Sequence, residues 1–180
     1  METEQQLLNA IHNGERAALQ RLYDRYSRYA MAIGLRYIPE REEVRDVIQD
    51  SFVKILTNIH QFEYRGEGSL KSWVSKIVVN KAIDYLRVQQ RISFVSNVPD
   101  LVDEESPDLK EIPPDILTVM IGRLPDNYRL VLNLFVFEQR SHREIAQQLG
   151  IKENTSASLF FRAKQMLSKM IKEYVKQQEI

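Results

Sequence analysis

Apolar residues recur at intervals of three and four along most of the chain, which predicts a series of amphipathic α-helices. The first stripe is short, and the Asn13-Gly14 pair that follows it predicts the end of an opening helix. Longer stripes run over residues 18–33, 44–59 and 70–86. Glycine and proline stand almost entirely between the stripes, where helices are expected to start and stop.

Three prolines mark predicted helix starts. Pro39, Pro114 and Pro125 are each expected at a first helical position, because the fixed φ of proline suits that position and its missing N–H costs nothing there. The helix opened by Pro114 is expected to run to Leu124. Residues 130–137 are apolar enough to form a buried strand, but Pro125 and the helical neighbours favour a helix.

Residues 141–167 have the pattern of a helix-turn-helix. Ser141 and Glu144 have the spacing of a capping box at the start of the first helix. Gly150 stands where the chain must turn, and glycine adopts a positive φ at the lowest cost. A second helix from about Asn154, carrying Arg162, is of the kind that enters a DNA major groove. From this segment alone, an ordinary helical hairpin is the alternative.

Residues 91–114 interrupt the periodicity. They contain four prolines and carry six acidic side chains against two basic ones, which predicts a flexible acidic linker. The predicted fold is therefore all-α, with two helical domains, residues 1–90 and 115–180, joined by the linker at 91–114. The second domain is predicted to be a helix-turn-helix domain.

Composition narrows the classes of function. The net charge is zero, which argues against a simple polycation that coats DNA. The chain has no cysteine, and its three histidines lie far apart, so zinc–thiolate sites and thiol nucleophiles are excluded. No apolar run approaches the length of a membrane span, and Glu2 and Glu4 stand where a secretion signal would be basic. We therefore expect a cytoplasmic protein without membrane insertion.

Carboxylates cluster on one side of the helix predicted after Pro39. Glu43, Asp46 and Asp50 are spaced at three and four, with Gln49 beside them and Phe52 on the opposite side. Three interpretations stay open at this point. The face is solvated, or it binds a divalent metal in a helical hydrolase, or it docks onto a basic partner surface.

Aromatic and basic residues alternate over 62–91, a composition that suits single-stranded nucleic acid because bases stack on rings while cations hold phosphates. Trp73 is as compatible with the core as with a stacking role. The loop from Arg65 to Ser69 is flexible enough to fit an extruded base, but too short and irregular for a Walker-type phosphate loop. No Ser/His/Asp or paired acid–base arrangement is evident, so we expect neither an enzyme nor a cofactor.

Taken together, these segments resemble the extracytoplasmic-function (ECF) subfamily of bacterial RNA polymerase sigma factors. The resemblance extends over nearly the whole chain. Residues 46–52 (DVIQDSF) are similar to its polymerase-docking segment, and residues 68–73 (GSLKSW) to the start of its promoter-opening segment, which continues to Arg87. The carboxy-terminal residues 141–167 are similar to its helix-turn-helix. The resemblance implies a factor that binds core RNA polymerase, directs it to specific promoters and helps to melt the DNA.

The resemblance also implies site residues. Those that would dock onto the polymerase are Asp46, Gln49, Asp50 and Phe52. Those that would capture a base of the melted non-template strand in the minus-ten element, or hold that strand, are Arg65, Gly68, Ser69, Leu70, Trp73, Lys76, Asn80 and Arg87. Those that would contact the minus-thirty-five duplex are Arg143 and Thr155, at phosphates, and Ser158, Phe161 and Arg162, at base edges.

Family members are often held by an anti-sigma factor, so the resemblance implies such a partner as well. The acidic linker would thread toward the active-site and RNA-exit channel of the polymerase. This chain departs from the family pattern at Leu70, where an aromatic residue is common, and at Ala157 and Leu159, where basic residues are frequent. With fewer groups for arginine–guanine readout, Phe160 and Phe161 are expected to supply shape or thymine-methyl contacts.

The main alternative is a free-standing helix-turn-helix regulator that binds duplex DNA without polymerase. Such a protein needs a dimerisation or effector domain, and residues 1–90 contain no evident one.

Overall fold

A computed structural model describes residues 2–92, 94 and 112–178, and every regular element in those ranges is helical. The chain divides into two compact units, Met1–Tyr85 and Leu86–Ile180. The helices are α1 (Glu4–His12), α2 (Arg16–Tyr37), α3 (Arg41–Asn58), α4 (Ser69–Val88), α5 (Pro114–Gly122), α6 (Asp126–Val136), α7 (His142–Leu149) and α8 (Glu153–Gln178), with a 3₁₀ turn at Ile59–Gln61. The all-α prediction is confirmed.

The predicted linker lies mainly outside the described residues, since 93 and 95–111 are not among them. Its flexible form and the predicted domain limits at 90 and 114 stay predictions. At its carboxyl end, Ile112 is buried and packs with Met120 and Ile171. This part of the predicted linker therefore contributes to the core of the second unit.

The apolar faces of the helices form the core of the first unit. Helix α2 packs against α1 and α3, and α1 ends at His12, as the Asn13-Gly14 pair predicted. The stripe residues are almost completely buried; among them are Leu7, Leu22, Ile33, Ile55, Leu70 and Val78. Helix α4 thus presents its apolar stripe to the interior and its polar residues to solvent.

Two of the three proline predictions need correction. Pro39 does not open α3, which begins at Arg41 with Glu40 as its N-cap. The residue before a proline is disfavoured in the α conformation, and Ile38 is extended, with φ −128° and ψ 98°, so Pro39 lies in an extended connection. Pro125 is the N-cap of α6 and not its first residue, because its ψ of 145° is not helical. Pro114 is the first residue of α5, as predicted.

The second unit packs α6 and α7 against the long helix α8. Residues 130–136 are helical, so the helical prediction for this apolar run is confirmed and the strand alternative is wrong. One of its core clusters brings together Leu124, Leu132 and Ala163. The same helix α8 therefore carries core residues on one side and is available to a partner on the other.

Helices α7 and α8 form the predicted helix-turn-helix. The Ser141 hydroxyl accepts the Glu144 N–H at 3.3 Å, and the Glu144 carboxylate accepts the Ser141 N–H at 2.8 Å, which completes the capping box. Gly150 adopts a left-handed conformation with φ 70° and ψ 36°. The chain then turns directly into α8, which starts at Glu153.

Candidate polymerase- and DNA-binding surfaces

Helix α3 presents a polar face composed of Asp46, Gln49 and Asp50, all of which are exposed. The Asp50 side chain is 70% exposed, and its carboxylate lies 3.5 Å from the ammonium group of Lys81 on α4. Phe52 is different, because it is 4% exposed and its ring packs on Tyr23 with centroids 4.7 Å apart. Phe52 therefore anchors α3 in the interior, while the three polar residues are accessible to a partner.

The metal-site interpretation of this helix finds no support in the structure. Among residues 2–92, 94 and 112–178, no group of three or more histidine, aspartate or glutamate side chains is arranged to hold a metal ion. The carboxylates at 43, 46 and 50 lie along one helix.

The loop before α4 borders an open pocket of about 420 Å³. Its lining residues are Gln61, Phe62, Glu63, Arg65, Ser69 and Trp73. The Trp73 ring packs on Phe62 with centroids 5.1 Å apart. The Ser69 hydroxyl accepts the Arg65 N–H at 3.2 Å and donates to the Gly66 carbonyl at 2.6 Å. Hydrogen bonds within the loop thus stabilise its conformation, and the pocket beside it has both aromatic and polar walls.

Three of the other residues predicted to contact the minus-ten strand follow along α4. Lys76 and Arg87 are exposed and Asn80 is half-buried, with Arg87 beyond the point where the first unit ends. Leu70 is fully buried, so it can shape the pocket only by supporting the loop. Gly68 has a φ of +91°, a left-handed conformation that favours glycine.

The residues predicted for duplex DNA lie around the start of α8 and α7. Arg143 is exposed, and Phe161 and Arg162 are half-buried. Thr155 and Ser158 are each 8% exposed, and the Ser158 hydroxyl donates to the Asn154 carbonyl at 2.8 Å. Of this set, the side chains at 143, 161 and 162 have the greater access to a partner.

Two aromatic contacts hold α7 and α8 in place. The ring of His142 stacks on Phe135 with centroids 4.6 Å apart, and its Nδ1 lies 3.0 Å from the Ser156 hydroxyl. Burial lowers the pKa of His142 below its ordinary value. Phe160, which is half-buried, also packs on Phe135, with ring centroids 4.4 Å apart.

Comparison with known proteins decides the family. The family model described as Sigma-70 region 2 matches residues 22–92, and the one described as Sigma-70, region 4 matches residues 115–167. The ECF RNA polymerase sigma-E factor of Haemophilus influenzae is 27% identical, over 94% of this chain and 95% of the relative. This chain belongs to the ECF subfamily of RNA polymerase sigma factors.

Two other sigma factors agree with this assignment. The RNA polymerase sigma-H factor of Pseudomonas aeruginosa is 26% identical, over 94% of each chain. The ECF RNA polymerase sigma factor SigM of Bacillus subtilis is 25% identical, over 83% of this chain and 92% of the relative. A solved structure of CnrH in complex with the cytosolic domain of CnrY aligns at 22% identity and a TM-score of 0.48, covering 93% of this chain and 96% of that one.

The sigma factor directs RNA polymerase to initiate transcription at specific promoters, and its partners are accordingly core RNA polymerase and promoter DNA. Region 2 coincides with the part of the chain that contains the acidic α3 face and the loop pocket. The region 4 match, residues 115–167, contains the helix-turn-helix. Within the described residues, no helix of this sigma factor is long and apolar enough to cross a membrane.

Sequence reasoning missed one residue beside the loop. Glu4, in the first turn of α1, is 2% exposed, and its carboxylate accepts hydrogen bonds from the start of α4 and from the Tyr26 hydroxyl. The acidic first turn of a helix normally implies only a local dipole effect. Nothing in the spacing around residue 4 links it to residues more than sixty positions away, so only the fold reveals the contact.

Proposed function

We propose that the exposed face of α3 docks this sigma factor onto a basic surface of core RNA polymerase. The observation that carries the proposal is the division within two helical turns: Asp46, Gln49 and Asp50 are exposed, while Val47 and Phe52 are buried. Oppositely charged patches speed encounter and fix orientation. In this arrangement Asp50 exchanges its contact with Lys81 for one with the polymerase.

The pocket before α4 receives an unstacked base of the non-template strand in the minus-ten element. An aromatic wall formed by Phe62 and Trp73 supports this role, because base–aromatic stacking binds any base through its π-face. Arg65 and Ser69 supply polar groups at the mouth, and Lys76, Asn80 and Arg87 hold the strand along α4. Binding energy gained from the captured base and strand offsets the cost of unstacking.

The helix-turn-helix binds the minus-thirty-five duplex with the start of α8 in the major groove. Phe161 and Arg162 contact base edges, and Arg143 holds a phosphate. Thr155 and Ser158, which are each 8% exposed, support these side chains from within α8. The greater exposure of Arg143 supports its role at the phosphate backbone.

These assignments involve binding steps alone, so the factor acts without a catalytic centre. We place it in the cytoplasm, with the polymerase, and we infer an anti-sigma factor as its regulator from its membership of the ECF subfamily. We further infer that the acidic segment before Ile112 connects the minus-ten and minus-thirty-five domains and passes toward the active-site channel of the polymerase.

The docking assignment is tested by the variant Asp50→Lys. Reversing one charge in a complementary interface is expected to weaken the affinity for core polymerase about tenfold or more. Titration of labelled factor with purified core polymerase measures this affinity directly. The loss should shrink at high salt, because mobile ions screen exposed charges.

The matched control is Asp24→Lys, which makes the same charge change at an exposed residue of α2. It should leave the affinity for core polymerase close to that of the wild type. A folded Asp50→Lys variant with unchanged affinity, or an equal loss in both variants, would remove the α3 face from the docking assignment.

A further inference from the structure

The carboxylate of Glu4 connects the amino terminus of the chain to the start of α4. It accepts main-chain N–H groups from Gly68 at 2.9 Å, Leu70 at 3.0 Å and Lys71 at 3.1 Å, and the hydroxyl of Tyr26 at 2.7 Å. The first N–H groups of a helix have no partner within the helix. Glu4 therefore caps α4 from a distance of more than sixty residues in sequence.

The loop makes the reverse contact with α1. The carboxylate of Glu67 accepts the main-chain N–H of Glu4 at 3.2 Å and lies 3.4 Å from the guanidinium group of Arg25. Each helix start is thus bound by a carboxylate that the other segment supplies. We call this pair of contacts, made by Glu4 and Glu67, the reciprocal clasp.

The reciprocal clasp fixes the segment that borders the pocket. Among the residues that line the pocket, Ser69 lies between the bonded positions 68 and 70, and Arg65 lies two residues before Glu67. Trp73 lies one turn further along α4. The left-handed φ of Gly68 adds a conformation that must be held for the loop to keep this path. A pocket preorganised in this way avoids the entropic cost of ordering the loop when a base enters.

The electrostatics match this arrangement. Burial raises the pKa of the Glu4 carboxyl, but the Tyr26 hydroxyl and the main-chain N–H groups outweigh burial, so the pKa lies below its ordinary value of 4.5. The carboxylate is therefore ionised at neutral pH. A negative charge is also favoured at the positive end of the α4 dipole.

We propose that Glu4 is a positioning residue for promoter opening: through the reciprocal clasp it holds the loop at 65–69 in the conformation that captures the extruded base. The proposal rests on the assignment of that loop to the minus-ten strand. It adds a residue outside the region 2 match, which begins at residue 22, to the machinery that determines how well this sigma factor melts a promoter.

The test uses Glu4→Gln, which keeps the size of the side chain but replaces an acceptor oxygen with an NH₂ group. The matched control is Glu2→Gln, two residues earlier, where the carboxylate pairs with the partly exposed Arg21 at 3.3 Å. Each variant is assembled with core polymerase. The probe is a single-stranded oligonucleotide that carries the non-template minus-ten element of a promoter transcribed by the wild-type holoenzyme, together with copies that each lack one base.

The wild-type holoenzyme should lose affinity when one particular base is removed. Glu4→Gln should bind the intact strand about tenfold more weakly than the wild type, yet bind the strand lacking that base equally well. Glu2→Gln should match the wild type on both strands, and all three proteins should have the same affinity for core polymerase.

Equal affinity of Glu4→Gln and the wild type for the intact strand would overturn the proposal, as would an equal loss on both strands. If the wild type itself is indifferent to every missing base, the assignment of the loop to base capture fails, and the role of Glu4 fails with it. Should Glu4→Gln not fold, Tyr26→Phe removes one of the four donors to the same carboxylate. Tyr26→Phe should then bind the intact strand more weakly than the wild type, with a smaller loss than that expected for Glu4→Gln, and bind the strand lacking the base equally well. If Tyr26→Phe binds the intact strand as tightly as the wild type, the proposal is contradicted.

Discussion

At the scale of single residues, accessibility separates the side chains that can touch a partner from those that only support one. Asp46, Gln49 and Asp50 are accessible. Family resemblance assigns Phe52 to the same polymerase-binding surface and Leu70 to the minus-ten surface, but both of these side chains are buried. A resemblance in sequence carries over both kinds together, because a docking segment needs its core-facing residues as much as its exposed ones. Which residues belong to which kind follows from the helical phase, and that phase could be predicted from the apolar stripe.

Arg162 allows a test of base readout. Its guanidinium lies 3.4 Å from the Tyr128 hydroxyl, which helps to orient it at the surface of α8. Arg162→Ala is expected to weaken holoenzyme binding by about 1–3 kcal/mol on promoters with the preferred base and little on the others. Binding to a set of single-base variants of the minus-thirty-five element measures this selectivity.

Arg143→Ala is the matched control, since Arg143 is an exposed cation that the proposed function places at a phosphate. It should weaken binding by a similar amount on every sequence and reduce the salt dependence. A uniform loss for Arg162→Ala would assign that residue to a phosphate instead of a base.

Glu4 predicts a specific pH dependence. Because its pKa is lowered in the folded state, the ionised carboxylate adds stability above the ordinary value of 4.5, and this contribution is lost as the pH falls through the folded-state pKa. Glu4→Gln should therefore reduce the free energy of unfolding by about 1–3 kcal/mol at neutral pH. The difference from the wild type should diminish as the pH falls below 4.5.

Denaturant titrations at a series of pH values measure this difference, and the fluorescence of Trp73, the one tryptophan of the chain, reports on the first unit. The difference for Glu2→Gln should be small throughout. A Glu4→Gln difference that stays constant as the pH falls from neutral to the acid unfolding of the wild type would contradict the ionised carboxylate as its source.

At the scale of the elements, local chemistry accounts for most of the helix boundaries. The capping box at Ser141 and the left-handed Gly150 were predictable because each satisfies backbone groups within a few residues. The helix starts predicted at Pro39 and Pro125 were too early, by two residues and one residue, because a proline fits the extended residues before a helix as well as its first position. The cap supplied by Glu4 was not predictable, because it depends on a contact between distant segments.

Gly150 tests the turn of the helix-turn-helix. A side chain in its left-handed conformation costs about 1–2 kcal/mol, and no steric clash adds to this, because a Cβ at this position would have no atom within 4 Å. Gly150→Ala is therefore expected to lower the stability of the second unit by that amount. Gly150→Asn should cost less, because asparagine tolerates the left-handed region.

Urea unfolding followed by circular dichroism, with Trp73 fluorescence as the separate signal of the first unit, measures both variants. Equal effects of alanine and asparagine would contradict the backbone explanation. A loss of stability that appears only in the Trp73 fluorescence would place the effect in the first unit and would also contradict this explanation.

At the scale of the whole molecule, two units of different binding chemistry share a chain with no net charge. A neutral chain lacks the general attraction to phosphates that dominates non-specific DNA binding. In the proposed function, both units act at one promoter, and the polymerase is their common platform. The domain order followed from the sequence pattern, whereas the path of residues 95–111 lies outside the described residues.

This organisation predicts weak binding of the free sigma factor to duplex DNA. Its affinity for a promoter duplex should be at least about 100-fold below that of the holoenzyme at the same salt concentration. Fluorescence anisotropy with labelled promoter DNA, with and without core polymerase, measures both values. Tight, sequence-specific binding by the free chain would instead favour a free-standing regulator.

The most direct test of the central claim is to add the purified chain to bacterial core RNA polymerase and to transcribe a pool of promoter fragments. We expect a stable complex and a restricted set of transcripts that core polymerase alone does not produce, with shared minus-ten and minus-thirty-five elements upstream of the start sites. If the folded chain forms no complex with core polymerase, or the complex yields the same transcripts as core polymerase alone, the account of this protein as a promoter-directing sigma factor is contradicted.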